Sequence, residues 1–142
     1  MNAISVLIVD DNEDDRYLLK RKLKSAGFEL HIHEKNDGQE ALEFMQDYDE
    51  NYKLYAGLFP PMVIFLDINM PRLDGYGFLE EFAELREKYD FSSCVLMMFT
   101  SSEREDDKEK ALSYEFVSDY ILKGGYDIDQ LKQILEKVSG DQ

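Results

Sequence analysis

The sequence predicts an α/β domain built from five strand–helix units, with a parallel sheet covered by helices on both faces. Three observations predict it. Short, continuous apolar runs recur along the chain, as in strands buried on both faces (ISVLIV at 4–9, MVIFLD at 62–67, CVLMMFT at 94–100). Stretches with apolar residues at helical spacing separate those runs. The alternation repeats five times within 142 residues, enough for one full core and no second domain.

The first run, 4–9, ends at Asp10 and Asp11. Residues 13–26 follow as a helix with Leu19, Leu23 and Ala26 on one face and Gly27 as its stop. ELHIHE (29–34) alternates with period two and reads as a strand. The next helix opens at NDGQEALEFM, where Asp37 and Glu40 have the spacing of a capping box. MVIFLD is the third strand, ending on Asp67; Pro71 and Gly75 bracket a turn, and Gly75 to Tyr89 carries Phe78, Phe82 and Leu85 on one helical face. The fourth strand is 94–100. Residues 103–115 form a polar helix anchored only by Ala111 and Leu112, VSDYIL (117–122) is the fifth strand, and Ile128, Leu131, Ile134, Leu135 and Val138 stripe the last helix. Five such units with right-handed crossovers give the flavodoxin-like doubly wound order 2-1-3-4-5.

That order turns scattered residues into one site. Ligands of open parallel sheets bind beyond the carboxyl ends of the strands, at the switch point between the first and third. Asp10, Asp11 and Asp67 meet there. Carboxylates so close repel one another unless a cation sits among them, and an all-oxygen set beside phosphate calls for Mg²⁺. Asp67 can itself be a nucleophile and form an acyl phosphate. Phosphoryl transfer needs charge neutralisation and positioning of the phosphoryl oxygens. Thr100 and Lys123, ending the fourth and fifth strands, point at the same rim and supply a hydroxyl and an ammonium. Taken singly, Asp67 also reads as a loop cap, Thr100 as a helix N-cap and Lys123 as a solvated strand end.

Composition narrows the function classes. The net charge of −15 disfavours nucleic-acid binding, which needs a basic surface. No run of 18 apolar residues and no signal peptide is visible, and the lone Cys94 cannot form an internal disulfide, so a cytoplasmic protein is expected. A flavin carrier would need a phosphate-cradling loop where this chain has DDNEDD (10–15). A haloacid-type phosphatase would need a second Asp at position 69, which is Asn. There is no Walker-type loop.

The ordered set VLIVDD (6–11), FLDINMPRLDG (65–75), MMFTSS (97–102) and DYILKGG (119–125) resembles the receiver domain of two-component response regulators. The resemblance spans nearly the whole chain. It implies that Asp67 accepts a phosphoryl group from a phosphohistidine on a sensor histidine kinase or histidine phosphotransfer protein. It implies a Mg²⁺ site of Asp10, Asp11, Asp67 and the backbone carbonyl of Asn69, with Thr100 and Lys123 on the phosphoryl oxygens. Tyr120 falls at the family's aromatic switch position, and Asn69 and Ser102 line the water's approach and tune hydrolysis. The resemblance further implies a downstream protein target, reached by repacking around the polar helix and the fifth strand, and leaves a homodimer through that face open.

The chain departs from the family pattern in three places. Gly124 and Gly125 stand after Lys123, where the family has a proline in a cis peptide. The 47–61 connection is long, like the insertion of single-domain receivers that partner phytochrome-type kinases; by its residues it reads either as an extension of the preceding helix or as a partner-binding loop. The chain ends just after the last helix, so residues 1–142 are expected to be a single receiver domain without an output domain. The competing reading is a receiver-like interaction module that does not cycle phosphate. His31 and His33 read as an exposed strand edge, Cys94 as structural, and Met62, Met70, Met97 and Met98 as core.

Overall fold

The structure, a computed structural model, describes residues 3–140; the outermost four residues of the expected domain 1–142 lie outside the described residues. The elements run β1 (Ile4–Val9), α1 (Glu13–Ser25), β2 (Leu30–Lys35), α2 (Gly38–Gln46), α3 (Tyr48–Leu54), β3 (Val63–Leu66), α4 (Gly75–Lys88), β4 (Val95–Thr100), α5 (Glu105–Leu112), β5 (Val117–Leu122) and α6 (Ile128–Gly140). All four strand pairings are parallel, in the order β2-β1-β3-β4-β5. This is the expected order.

Side-chain alternation splits the core into two layers. Leu7 and Val9 of β1 pack with α2 and α4 (Ala41, Met45, Phe78, Phe82). Val6 and Ile8 pack on the other face with α1 and α6 (Leu19, Leu23, Leu131, Leu135). β1 and β3 are buried throughout, which is why their sequences are apolar runs, broken only by the buried, hydrogen-bonded Ser5. Each fully buried Leu or Phe contributes about 1.5–3 kcal/mol, so these layers hold the strand ends in place.

β5 is not regular. Leu96 pairs with Val117, but Met97 pairs with Asp119, leaving Ser118 as an extra residue at a bulge. Val117 and Tyr120, three apart, therefore both face the α2–α4 layer.

Several expectations need correction. β2 starts and ends one residue later than the alternation indicated, because it is an edge strand with no fully buried residue. His31 and His33 are not an exposed edge: the two rings meet at 4.5 Å, and Tyr55 and Phe44 pack on His33 at 4.7 and 4.9 Å. The polar helix is only Glu105–Leu112, and Leu112 is exposed where it was expected to anchor. Ile128 is likewise exposed, because it opens α6 before the buried stripe begins. Met97 and Met98 are core residues, whereas Met62 and Met70 are only partly buried against it.

The 47–61 connection is neither a continuation of α2 nor a free loop. The helix breaks at Asp47 and restarts as α3. Phe59 is buried, and Tyr48 stacks on Tyr89 at 4.8 Å, while Tyr52 and Leu54 face solvent. Ser5 donates to the Leu58 carbonyl, tying the segment to β1. The Phe59–Pro60 peptide is cis.

Candidate functional site

The carboxyl ends of β1, β3, β4 and β5 form one rim. Asp10 follows β1, its N–H donating to Lys35 O of β2, and is fully buried. Its Oδ1 accepts from Asn12 N at 2.9 Å, and Arg16 Nη1 donates to its carbonyl at 2.6 Å. Asp11, next along, is exposed. Asp67 continues β3, its N–H donating to Val9 O, with its Oδ1 accepting from Ile68 N at 2.8 Å. Oxygens of Asp10, Asp11 and Asp67 all lie within 4.8 Å of one another.

Lys123 leaves the end of β5 and enters this cluster, its N–H donating to the carbonyl of Thr100. Its Nζ lies 2.8 Å from Asp10 Oδ2, 2.8 Å from Asp15 Oδ2 and 3.1 Å from Asp67 Oδ2. It is therefore not a solvated strand end. Burial alone favours loss of its proton, but the Asp10, Asp15 and Asp67 carboxylates outweigh that and hold the ammonium well above its ordinary range. Asp10 moves the other way: burial pushes its carboxyl above the usual range, and Lys123 and the Asn12 N–H only partly offset this. The two directions agree once charges are counted, since one ammonium faces several carboxylates and cannot neutralise all of them. Asp10 Oδ2 is buried and meets Lys123 as an ion pair but accepts no hydrogen bond. An all-oxygen set with an under-satisfied buried carboxylate fits a hard divalent cation.

Thr100 ends β4 fully buried, its Oγ1 accepting from Ser102 N at 3.3 Å. It caps no helix, because Arg104 holds that place on α5. Asn69 is exposed in the loop after Asp67. Tyr120 is half-buried opposite Met98, with its hydroxyl donating to the Ser102 carbonyl at 3.0 Å. After Lys123 the chain turns without a cis bond, Gly125 N donating to Leu122 O at 3.0 Å. Tyr126 then anchors the turn by packing on Phe99 at 5.2 Å.

The rim also contains groups that the sequence reading missed. Asp15 is one; the acidic run 10–15 was the available signal, but it does not say which carboxylate turns inward. A second set links the rim to α4 and α5. Ser102 Oγ donates to Asp107 Oδ2 at 2.5 Å and Tyr76 OH to Asp107 Oδ1 at 2.6 Å. Burial and the Asp107 carboxylate raise the Tyr76 phenol above its ordinary range, and the Ser102 and Tyr76 donors lower Asp107. A third set holds the loop after Asp67. Arg72, at φ 64°, reaches Asp37 through Nε at 2.9 Å. Burial pushes Asp37 upward, but Arg72 and the Glu40 N–H outweigh it. Asp37 also caps α2 as its spacing indicated, although Glu40 reaches back to Asn36 N instead of Asp37 N.

The chain belongs to the response regulator receiver domain family of two-component signalling, whose sequence profile matches residues 6–136. Receiver domains are signalling modules, and the acidic rim is where the family binds Mg²⁺. Response regulator Rcp1 from Synechocystis sp. (strain ATCC 27184 / PCC 6803 / Kazusa) is 30% identical over 136 residues, covering 95% of this chain and 84% of that protein. The fold matches chemotaxis protein CheY4 from Vibrio cholerae with a TM-score of 0.69 at 24% identity, over 96% of this chain and 99% of that one. It also matches the receiver domain of the histidine kinase CKI1 from Arabidopsis thaliana, complexed with Mg²⁺, with a TM-score of 0.74 at 21% identity, over 94% and 90% of the chains. Among the described residues, no helix is long and apolar enough to cross a membrane.

Proposed function

We propose that this chain is a single-domain response regulator that takes a phosphoryl group onto Asp67 from a phosphohistidine of a sensor histidine kinase or histidine phosphotransfer protein. What carries the reading is Lys123, held within 3.1 Å of Asp67 at the mouth of the Asp10–Asp11–Asp67 cluster. In the transfer the N–P bond of phosphohistidine breaks as the Asp67 Oδ–P bond forms, and the leaving imidazole takes a proton from solvent. Asp10, Asp11, Asp67 and the Asn69 carbonyl hold Mg²⁺, which supplies neutralisation of phosphoryl charge. Lys123 and Thr100 bind two phosphoryl oxygens, and Asn69 and Ser102 govern access of the hydrolytic water.

The output is a change of surface. Movement of the Thr100 hydroxyl toward the phosphoryl group pulls on the Ser102 N–H it accepts, and Ser102 in turn touches Tyr120 and Asp107. α5 has one buried side chain, so little packing opposes its displacement. A cytoplasmic protein target reads that face.

The test is intact mass after incubation with phosphoramidate, with and without Mg²⁺, beside Asp67→Asn. A single Mg²⁺-dependent phosphoryl adduct, absent in the variant, is the expected result. No adduct with wild type overturns the reading in favour of an interaction module that does not cycle phosphate.

A further inference from the structure

We propose that Asp15, on the first turn of α1, is a positioning residue that fixes the Lys123 ammonium over Asp67 throughout phosphoryl transfer. The inference rests on the phosphoacceptor reading above and adds a residue to it. Lys123 Nζ has three carboxylate partners: it donates to Asp15 and Asp67 and meets Asp10 as an ion pair. Two of the three belong to the oxygen cluster suited to a cation; Asp15 does not. Asp67 also gives up its free oxygen when it bonds to phosphorus. As Asp10 and Asp67 are drawn into those roles, Asp15 is the partner that keeps the ammonium in place.

Asp15 is rigidly mounted for this. Asn12, the N-cap of α1, accepts from Asp15 N at 3.0 Å. The next residue, Arg16, ties the same turn to the Asp10 carbonyl at 2.6 Å and to Glu34 of β2 at 3.1 Å. The turn is thus fixed to the two strands beside the rim, so Asp15 Oδ2 is fixed relative to Asp67. Its own side chain is partly exposed, at 31%, so solvent limits its pull on Lys123 and leaves the ammonium free to share itself with a phosphoryl oxygen.

The experiment compares wild type, Asp15→Ala and Asp15→Glu with phosphoramidate and Mg²⁺, reading the limiting phosphorylation rate and the half-saturating donor concentration by intact mass. Loss of one charge-assisted hydrogen bond that orients the lysine lowers the limiting rate about tenfold in Asp15→Ala. The half-saturating concentration does not rise, because one anion fewer faces the donor. Asp15→Glu restores most of the rate. A second readout needs Mg²⁺ but no donor: with the metal drawing on Asp10 and Asp67, the Lys123 ammonium ¹H–¹⁵N signal, sharp while held, broadens away in Asp15→Ala and persists in Asp15→Glu. An unchanged or raised limiting rate in Asp15→Ala overturns the proposal, as does an unchanged ammonium signal. Should Asp15→Ala unfold by circular dichroism, Asp15→Asn takes its place under the same criteria. If wild type accepts no phosphoryl group, the function proposed above fails, and the ammonium signal alone then decides whether Asp15 fixes Lys123.

Discussion

His33 makes the stability of this fold depend on pH in a way that can be worked out in advance. Its ring lies under Tyr55 and Phe44, and its Nε2 is buried without a hydrogen-bond partner. Burial, reinforced by the charges of His31 and Lys35, lowers its pKa from 6.5 to about 4. Between those values the unfolded chain binds a proton that the folded chain refuses. Stability from His33 is therefore complete above pH 6.5 and falls as the pH drops toward 4. Linkage puts the loss at about 2 kcal/mol by pH 5, most of the roughly 3 kcal/mol limit reached below pH 4. Asp10, with its raised carboxyl pKa, works in the opposite direction, so the whole-protein profile mixes the two. The clean measurement is a difference: urea unfolding of wild type and His33→Phe at pH 7.5, 6 and 5, without Mg²⁺. The gap in unfolding free energy should widen in favour of the variant by about 2 kcal/mol from pH 7.5 to 5. A gap that stays constant refutes the reasoning, since it would mean that the folded protein protonates His33 as readily as the unfolded chain does.

Other outcomes follow from the same structure. Gly38→Ala would drive a Cβ into the Leu73 carbonyl, which accepts the Gly38 N–H; urea unfolding should show a loss of about 2 kcal/mol. Tyr76→Phe deletes the Asp107 bond at a cost of about 1 kcal/mol, and hydrogen exchange should quicken in residues 101–107 while the α1–α6 face is unaffected. Asp37→Ala removes the α2 cap and leaves Arg72 unpaired; the cap alone is worth about 1 kcal/mol in thermal or urea unfolding. Cys94 is buried with its thiol pushed up to about 12, so a thiol reagent at pH 8 should label it only as fast as the protein opens.

The sequence made the fold legible where burial is two-sided. β1, β3 and β4 read directly because, Ser5 apart, every residue in them is apolar or ends a run at a functional group. β2 was misplaced by one residue because an edge strand carries only part of that signal. Asp10, Asp11 and Asp67 were legible as a group because strand order alone brings strand ends together. Asp15, Arg16, Tyr76 and Asp107 were not, since they meet across elements through side-chain reach. No spacing in the sequence encodes the path from Tyr76 on α4 to Asp107 on α5. Arg72 was hidden for another reason: an arginine in the left-handed region is not what local preference predicts, and its carboxylate partner lies 35 residues earlier.

The extra residue in β5 has a consequence for how the gene can change length. Val117 and Tyr120 face one layer only because Ser118 adds a half-period between them. Shortening that stretch by one residue leaves an ordinary strand of even spacing, in which both side chains still share a face. Lengthening it by one either keeps the bulge and turns Tyr120 to the wrong face, or drops it and slides Tyr120 two residues, roughly 7 Å, out of register with Met98 and away from Ser102. Deletion of Ser118 should therefore be tolerated and a one-residue insertion beside it should not, a contrast that melting temperatures of the two variants would register. The strand behaves as a counter, and its tolerance to error runs in one direction.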